Sequence, residues 1–293
     1  MKPLDILLAL SVPLIWGLGF TLAKVAFVYV SFPPILLMAF RFSLTALLLV
    51  WFVRPPWGMM HRIFWIALIS ATIQYSLMFT GLNGLDASFA VIIVQLEAPF
   101  MALFAAIILK DHLGWRRAIG MALAFAGVFL IAGQPEQQGD LLSIILVASG
   151  ALVWAGGQIM IKGLDGKIGG FTLIAWVAVF ATPQLFLSSW LFEDGQWEAI
   201  KTAGWIGWGV VIYMGLIMTA LGYAIWYRLL GIYNVTQVLP YLMLLPVMSI
   251  AGSMLFLGER LSIVELIGSA IVIFGVWIIT TYKPVLADDA KQN

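Results

Sequence analysis

Polar residues are so sparse along this chain that its pattern is one of long apolar runs separated by short breaks. Ten runs are apolar on every side, at about residues 5–30, 33–53, 62–81, 87–109, 115–132, 140–161, 169–190, 204–230, 234–257 and 262–282. A helix that crosses hydrocarbon needs about 20 mainly apolar residues at about 1.5 Å of rise each, and the runs are of that order. Barrel strands would instead alternate apolar and polar residues over about ten positions. The breaks carry turn chemistry, as in Ser31-Phe32-Pro33-Pro34, Arg54-Pro55-Pro56-Trp57-Gly58, Gly84-Leu85-Asp86 and the stretch from Gln134 to Asp140. The pattern predicts an all-α membrane protein with ten transmembrane helices. The first run is expected to be a span rather than a cleaved signal, because its apolar stretch is too long and no small-residue cleavage site precedes a soluble domain.

The runs also repeat. Leu14-Ile15-Trp16-Gly17-Leu18-Gly19, ending at Lys24, lies over Leu152-Val153-Trp154-Ala155-Gly156-Gly157, ending at Lys162, at an offset of 138. Lys110-Asp111-His112-Leu113 lies over Gly258-Glu259-Arg260-Leu261, and Gly120 and Gly127 lie over Gly268 and Gly275, at an offset of 148. The ten-residue difference is expected as an insertion in the loop and helix 8. Each repeat then holds five helices, an odd number, so the second copy enters the membrane from the opposite side. The expected boundaries are 1–133 for the first repeat, 134–284 for the second and 285–293 for a cytoplasmic tail. Inverted pairs of this kind are characteristic of secondary transporters, whose sites lie near the midplane between the repeats.

Composition sharpens the class. Of 293 residues, 63% are hydrophobic and 10% charged, with a mean hydropathy of +1.05, against about 45–50% and about 25% for soluble domains. A soluble enzyme or an extended nucleic-acid binder is excluded. The net charge of +1 suggests no acidic polymer as partner, and the absence of cysteine removes disulfides, thiolate metal sites and thiol nucleophiles. Charge placement sets an orientation. With the N-terminus inside, eleven Lys and Arg face the cytoplasm, three (Lys24, Lys201 and Arg260) face outward, and Arg41 lies within a span. The positive-inside rule then puts both termini in the cytoplasm of a bacterial inner membrane, with residues 57 and 114 inside and 136 and 195 outside.

Ten helices in two five-helix halves, Trp16-Gly17 in helix 1 over Trp154-Ala155-Gly156 in helix 6, and Leu257-Gly258-Glu259-Arg260-Leu261 before a last helix with Gly268 and Gly275 resemble the drug/metabolite transporter superfamily. Within it the chain is most similar to EamA-type exporters, particularly YddG-like amino-acid exporters, over essentially its whole length. The first half departs from the motif, with Lys-Asp-His-Leu in place of Gly-Glu-Arg-Leu. The resemblance implies efflux of small metabolites and places helices 3, 4, 8 and 9 around a central cavity.

Intramembrane charges are the first candidates for function, since a buried charge is costly unless paired or hydrated. Arg41 is expected roughly 12 Å and Glu97 roughly 15 Å deep from the same side, from about 1.5 Å of rise per residue. Similar depth allows a structural ion pair between helices 2 and 4, or charged groups on the substrate path; Glu97 as a proton-coupling carboxylate lacks a nearby relay. Their repeat mates are Val179 and Leu245. Pro99 in helix 4, and Pro240 and Pro246 in helix 9, interrupt corresponding spans and could free carbonyls toward cargo, or merely kink the helices for packing. Trp16, Trp154 and Trp176 fall mid-span, on a cavity wall or in packing, with N–H groups that need partners. Trp51, Trp57, Trp65, Trp115, Trp190, Trp197, Trp205 and Trp208 read as interfacial belts. Gln74, Tyr75, Phe79, Gln158, Thr219 and Tyr223 add hydrogen-bonding and aromatic groups. The glycine faces of helices 5 and 10 read as close packing, between the two or against a second protomer. Lys24 and Lys162 are expected to snorkel.

A wall of this kind suits neutral amino acids, aromatic ones included, and rejects lysine, glutamate and sugar phosphates, whose extra charge would have no evident partner. The expectation is a secondary transporter working by alternating access, as monomer or homodimer in the lipid bilayer, without nucleic acid, cofactor or metal; two lone loop histidines, His61 and His112, make no metal site. Transport of other amphipathic drugs or metabolites, an intramembrane enzyme and a lipid flippase are the alternatives. No His within a span, no Cys and no paired aspartates speak for an enzyme.

Overall fold

In a computed structural model of the chain, residues 2–108, 114–133, 141–164, 166–233, 238 and 241–281 are described, and every regular element among them is helical. The spans are α1 (Pro3–Val30), α2 (Pro34–Phe52), α3 (Met60–Asn83), α4 (Ala87–Ile108), α5 (Trp115–Ala132), α6 (Leu141–Lys162) and α7 (Gly170–Phe192). Then come α8, built from Gly204–Ile212, Tyr213–Leu221 and Gly222–Ile232, and α9, described over Leu245–Phe256, and α10 (Ile263–Thr281). Among the described residues nine helices are long and apolar enough to cross a bilayer. A short helix, Gln196–Thr202, stands between α7 and α8. It accounts for part of the shift in offset between the front and the back of the repeat.

Packing follows an inverted twofold. Helix α1 of the first repeat leans on α8 and α9 of the second, and its mate α6 leans on α3 and α4 of the first. The helices nearest the axis meet their own mates, α2 against α7 and α5 against α10. Close backbone approach makes this possible where apolar burial cannot, since lipid tails are as apolar as the side chains they would displace. A Cβ on Gly120 would lie 2.7 Å from the Gly275 carbonyl oxygen, and one on Gly275 would lie 2.6 Å from that of Gly120. The pair Gly127 and Gly268 is reciprocal in the same way, at 2.7 and 3.0 Å. The glycine faces thus meet each other within one chain. The pattern recurs off the axis. Gly19 of α1 abuts Met218, and its mate Gly157 of α6 abuts Ser70, which is itself the mate of Met218 at an offset of 148.

Both third helices of the repeats leave the α-helical path, α3 at Leu68–Ile73 and α8 at Tyr213–Leu221, in π-helical turns. Such turns are rare and concentrate at functional sites. Both fourth helices break. Helix α4 turns at Gln95 and Leu96 and restarts at Glu97; α9 turns at Met243 and Leu244 and restarts at Leu245. These breaks are 148 residues apart, the repeat offset. Pro99 and Pro246 fall in the first turns of the restarted segments, where a missing N–H is tolerated. Gln95, whose carbonyl Pro99 cannot use, accepts instead from the Ala98 N–H at 3.2 Å. Pro240 lies outside the described residues.

Trp51, Trp57, Trp115, Trp190, Trp197 and Trp205 are exposed near helix ends, where an indole suits the interface. Trp65 donates to His61 Nε2 at 2.9 Å.

Candidate functional site

A cavity of about 870 Å³ occupies the middle of the bundle, within the range of about 300–1,000 Å³ usual for small-molecule sites. Its walls come from both repeats: Trp16 of α1, Arg41 of α2, Gln74, Tyr75 and Phe79 of α3, Glu97 of α4, Trp154 of α6 and Tyr223 of α8. The breaks of α4 and α9 line it too, through Val94, Gln95 and Ala98 on one side and Leu242, Met243 and Leu245 on the other. Phe20, Met78, Met101 and Trp277, which the sequence did not single out, complete much of the apolar wall. Phe20 and Met78 each sit one turn from a residue that was singled out, so helical periodicity was the available signal.

Three expected residues stand elsewhere. Thr219 is buried behind Arg41 rather than on the wall. Trp176 packs beside Phe180 and a small cluster around Ile63 and Leu164, its Nε1 without a partner among the described residues. Gln158 is half-buried on α6, off the wall. The offset from Trp16 to Trp154 placed both indoles on the cavity, whereas Trp176 has no such mate.

The π turn of α8 organises one wall. In it Thr219 Oγ1 donates to the Met214 carbonyl at 2.8 Å, so its lone pairs face outward and accept from Arg41 Nε at 3.1 Å. The Gly215 carbonyl accepts from Thr45 Oγ1 at 3.2 Å, and the Met218 carbonyl accepts from Trp16 Nε1 at 3.0 Å. The Tyr213 hydroxyl donates to the Ile15 carbonyl at 2.9 Å. Irregular backbone is thereby satisfied by side chains of α1 and α2, as a non-aqueous interior requires.

Arg41 is 2% exposed, its guanidinium carbon 4.8 Å from the Tyr75 ring centroid and 5.4 Å from that of Phe42. Its Nη1 approaches Met38 Sδ at 3.8 Å. The ion pair with Glu97 that similar depth allowed is not formed. Arg41 is turned toward α3 and α8, and the restarted half of α4 packs on α6 and α10 rather than on α2. Among the described residues the one salt bridge joins Arg228 to Asp5, at 3.5 Å. Tyr233 also donates to Asp5, at 2.7 Å, tying the start of α1 to the end of α8.

The cavity is closed at one end and reaches the other face. Lining residues run as far as Arg117 in the first turn of α5 and Thr281 at the end of α10. Toward the opposite face, Ala87 to Ile93 of α4 are buried. Here Glu259 caps α4, its carboxylate accepting from the Ala87 N–H at 2.8 Å, the Ser88 N–H at 3.0 Å and the Ser88 hydroxyl. Gly258, at φ +69°, makes the turn that presents it. A negative group at a helix N-terminus is favoured by the unsatisfied N–H groups there. Glu193 does the same for α2, accepting from Ile35 at 2.6 Å and Leu36 at 3.0 Å. Lys24 is half-buried, and its ammonium donates to the carbonyls of Leu82 and Asn83 at 3.3 and 2.7 Å, ending α3 on the sealed face. Burial pushes the Asp86 carboxyl above its ordinary range, with Glu259 adding to the rise, Lys24 opposing it and Glu265 contributing least. Burial likewise raises Glu193, against the hydrogen bonds of Ile35, Ser189 and Leu36.

The family profile that matches covers residues 4–133 and 141–281 and describes an EamA-like transporter family. The chain belongs to that family. It is 29% identical over 287 residues to the "probable amino-acid metabolite efflux pump" of Escherichia coli, covering 95% of each chain, and 29% identical over 286 residues to the protein of the same name in Salmonella typhimurium, again with 95% of each covered. A transporter of Bacillus subtilis, YvbV, is 27% identical, with 92% of this chain and 88% of that one covered. A solved crystal structure superposes with a TM-score of 0.64 at 17% identity, over 96% of this chain and 98% of the other, a likeness of fold. This EamA-like chain is therefore a multi-pass membrane transporter, not an enzyme, and its two matched segments are the two five-helix repeats.

Proposed function

We propose that this transporter exports neutral amino acids, aromatic ones included, and related small metabolites, by alternating access around the central cavity. The observation that carries the reading is the cavity itself. Aromatic, methionine and aliphatic side chains together make most of its wall, and one buried cation and one carboxylate are its charged groups at depth, so a molecule of zero net charge with an apolar side chain leaves no extra charge in the membrane interior. The names of the Escherichia and Salmonella relatives support amino-acid metabolites as cargo. Inverted packing, paired helix breaks and a cavity closed at one end support alternating access, in which the two repeats exchange conformations. With the positive-inside count, the open face is the cytoplasmic face of a bacterial inner membrane, and both termini lie there.

Counterflow in proteoliposomes tests the cargo. Vesicles preloaded with phenylalanine or methionine should accumulate the labelled amino acid, and lysine and glutamate should neither accumulate nor compete. Accumulation of lysine or glutamate with phenylalanine and methionine inert would overturn the reading.

A further inference from the structure

Two charges at membrane depth face one cavity without satisfying each other. Arg41 is 2% exposed, and two of its three nitrogens are engaged, Nε by Thr219 and Nη1 by the weak acceptor Met38 Sδ. Its Nη2 makes no hydrogen bond among the described residues. Glu97 starts the second half of α4 on another wall of the cavity, and it too makes no hydrogen bond or ion pair among the described residues. On α3, lining the same cavity, Gln74 is 1% exposed, with its Nε2 spent on Met78 Sδ at 3.4 Å and its Oε1 without a partner among the described residues. A buried guanidinium and a half-buried carboxylate at membrane depth are each costly when unmatched, and mutual pairing would relieve both. The fold instead holds Arg41 back against the Tyr75 ring and Thr219, and carries Glu97 on a helix that does not pack on α2.

We propose that Arg41 and Glu97 form the two poles of a zwitterion clamp: Arg41 Nη2 donates to the substrate α-carboxylate, and Glu97 accepts from the α-ammonium, with Gln74 Oε1 as a further acceptor. This deepens the amino-acid reading above and rests on it for the substrate class. The clamp makes the free α-amino and α-carboxyl groups the recognised feature and leaves the side chain to the aromatic wall. A ligand with only one of the two charges engages one pole and leaves the other unmatched in a low-dielectric interior, where charge-assisted hydrogen bonds are strongest. It also accounts for the absence of these charges from the second repeat, where Val179 and Leu245 stand: a dipolar ligand needs one of each pole, not two.

The test uses full-length protein in detergent and three probes that share a phenyl ring: L-phenylalanine, phenethylamine, which lacks the carboxylate, and 3-phenylpropionate, which lacks the ammonium. Titration followed by tryptophan fluorescence, to which Trp16 and Trp154 on the wall respond, should rank phenylalanine about tenfold or more above both analogues, the worth of one charged hydrogen bond. In Arg41→Gln the preference over phenethylamine should vanish while that over 3-phenylpropionate survives; in Glu97→Gln the reverse should hold. Because ratios are compared within one sample, loss of folded protein does not mimic the result, and Arg41→Lys, which keeps the charge, should restore part of the preference. Equal weakening of all three probes in both variants would overturn the clamp. Wild-type protein that exchanges phenylalanine yet binds all three probes alike would overturn the clamp and leave the function intact. Failure to exchange any neutral amino acid, with the probe ranking as stated, would overturn the function and leave the clamp.

Discussion

The two repeats of this transporter agree in their scaffold and disagree in their charges. Their fourth helices break 148 residues apart, their third helices carry π turns at matching places, and their glycines contact each other's backbones reciprocally across the pseudo-axis. Yet Arg41 and Glu97 in the first repeat correspond to Val179 and Leu245 in the second. In the proposed alternating-access cycle, symmetry is kept where the two conformations would exchange, because each half would have to adopt the other's shape. It is dropped at the proposed clamp, whose ligand, an amino acid, has two unlike ends. Scaffold and recognition should therefore fail differently when perturbed.

The largest effect is expected at the axis. Gly275→Val would drive a Cβ to 2.6 Å from the Gly120 carbonyl oxygen and 2.7 Å from the Ala124 nitrogen. Both are backbone atoms with no rotamer to yield, so the cost should reach or exceed about 3 kcal/mol, the upper end for overpacking. Gly209→Ala, where nothing lies within 4 Å, is the control. Fluorescence-detected size exclusion after heating should show Gly275→Val losing most of its monodisperse peak and Gly209→Ala keeping it. Equal survival of the two would mean that the α5–α10 seam is looser than its contacts indicate.

This seam was legible in the sequence because small residues at a fixed offset are countable without knowing their partners. So were the spans and the paired interruptions, since apolar length and proline are local properties. Trp16, Trp154, Tyr75 and Phe79 were also found, where aromatic residues fell mid-span. The capping roles of Glu193 and Glu259 were not legible. Each serves a helix far away in sequence, joining residues 158 and 172 positions apart. The orientation of Arg41 was equally hidden, because Thr219, 178 residues away, fixes it only through a π turn that no propensity announces. Depth along a helix could be counted, but azimuth could not, and azimuth decides that Arg41 and Glu97 face the cavity without meeting.

A middle-sized effect is expected at the sealed face, where one repeat's carboxylate closes the other's helix. Glu259→Gln keeps the shape of the cap but removes its charge from the N–H groups of Ala87 and Ser88. A charged acceptor at a helix N-terminus contributes about 1–2 kcal/mol, so the sealed form should lose roughly tenfold of its advantage. The chain contains no cysteine, which makes the readout clean. Ala90→Cys, at a position 1% exposed, should react slowly with a membrane-impermeant maleimide, and about tenfold faster when combined with Glu259→Gln. Unchanged protection would show that apolar packing of α4 alone holds the seal.

The smallest effect, and the one that separates charge from scaffold most finely, is expected from pH. Asp86 stands at the N-cap of α4, and its carboxyl is raised by burial first and by Glu259 second, with Lys24 opposing and Glu265 contributing least. A carboxyl with a raised value binds its proton more tightly in the sealed form than when it is released to water. The sealed form therefore holds more protons, and linkage makes it more favoured as pH falls and less favoured as pH rises through the raised value. Maleimide labelling of Ala90→Cys, corrected for the thiolate fraction with an exposed reference cysteine at residue 195, should accelerate as pH rises. Asp86→Asn, which cannot ionise, should flatten that dependence while leaving protection at low pH intact. A slope that survives in Asp86→Asn would assign the titration to Glu193, the other raised carboxyl on this face, and would move the pH-sensitive contact from the start of α4 to the start of α2.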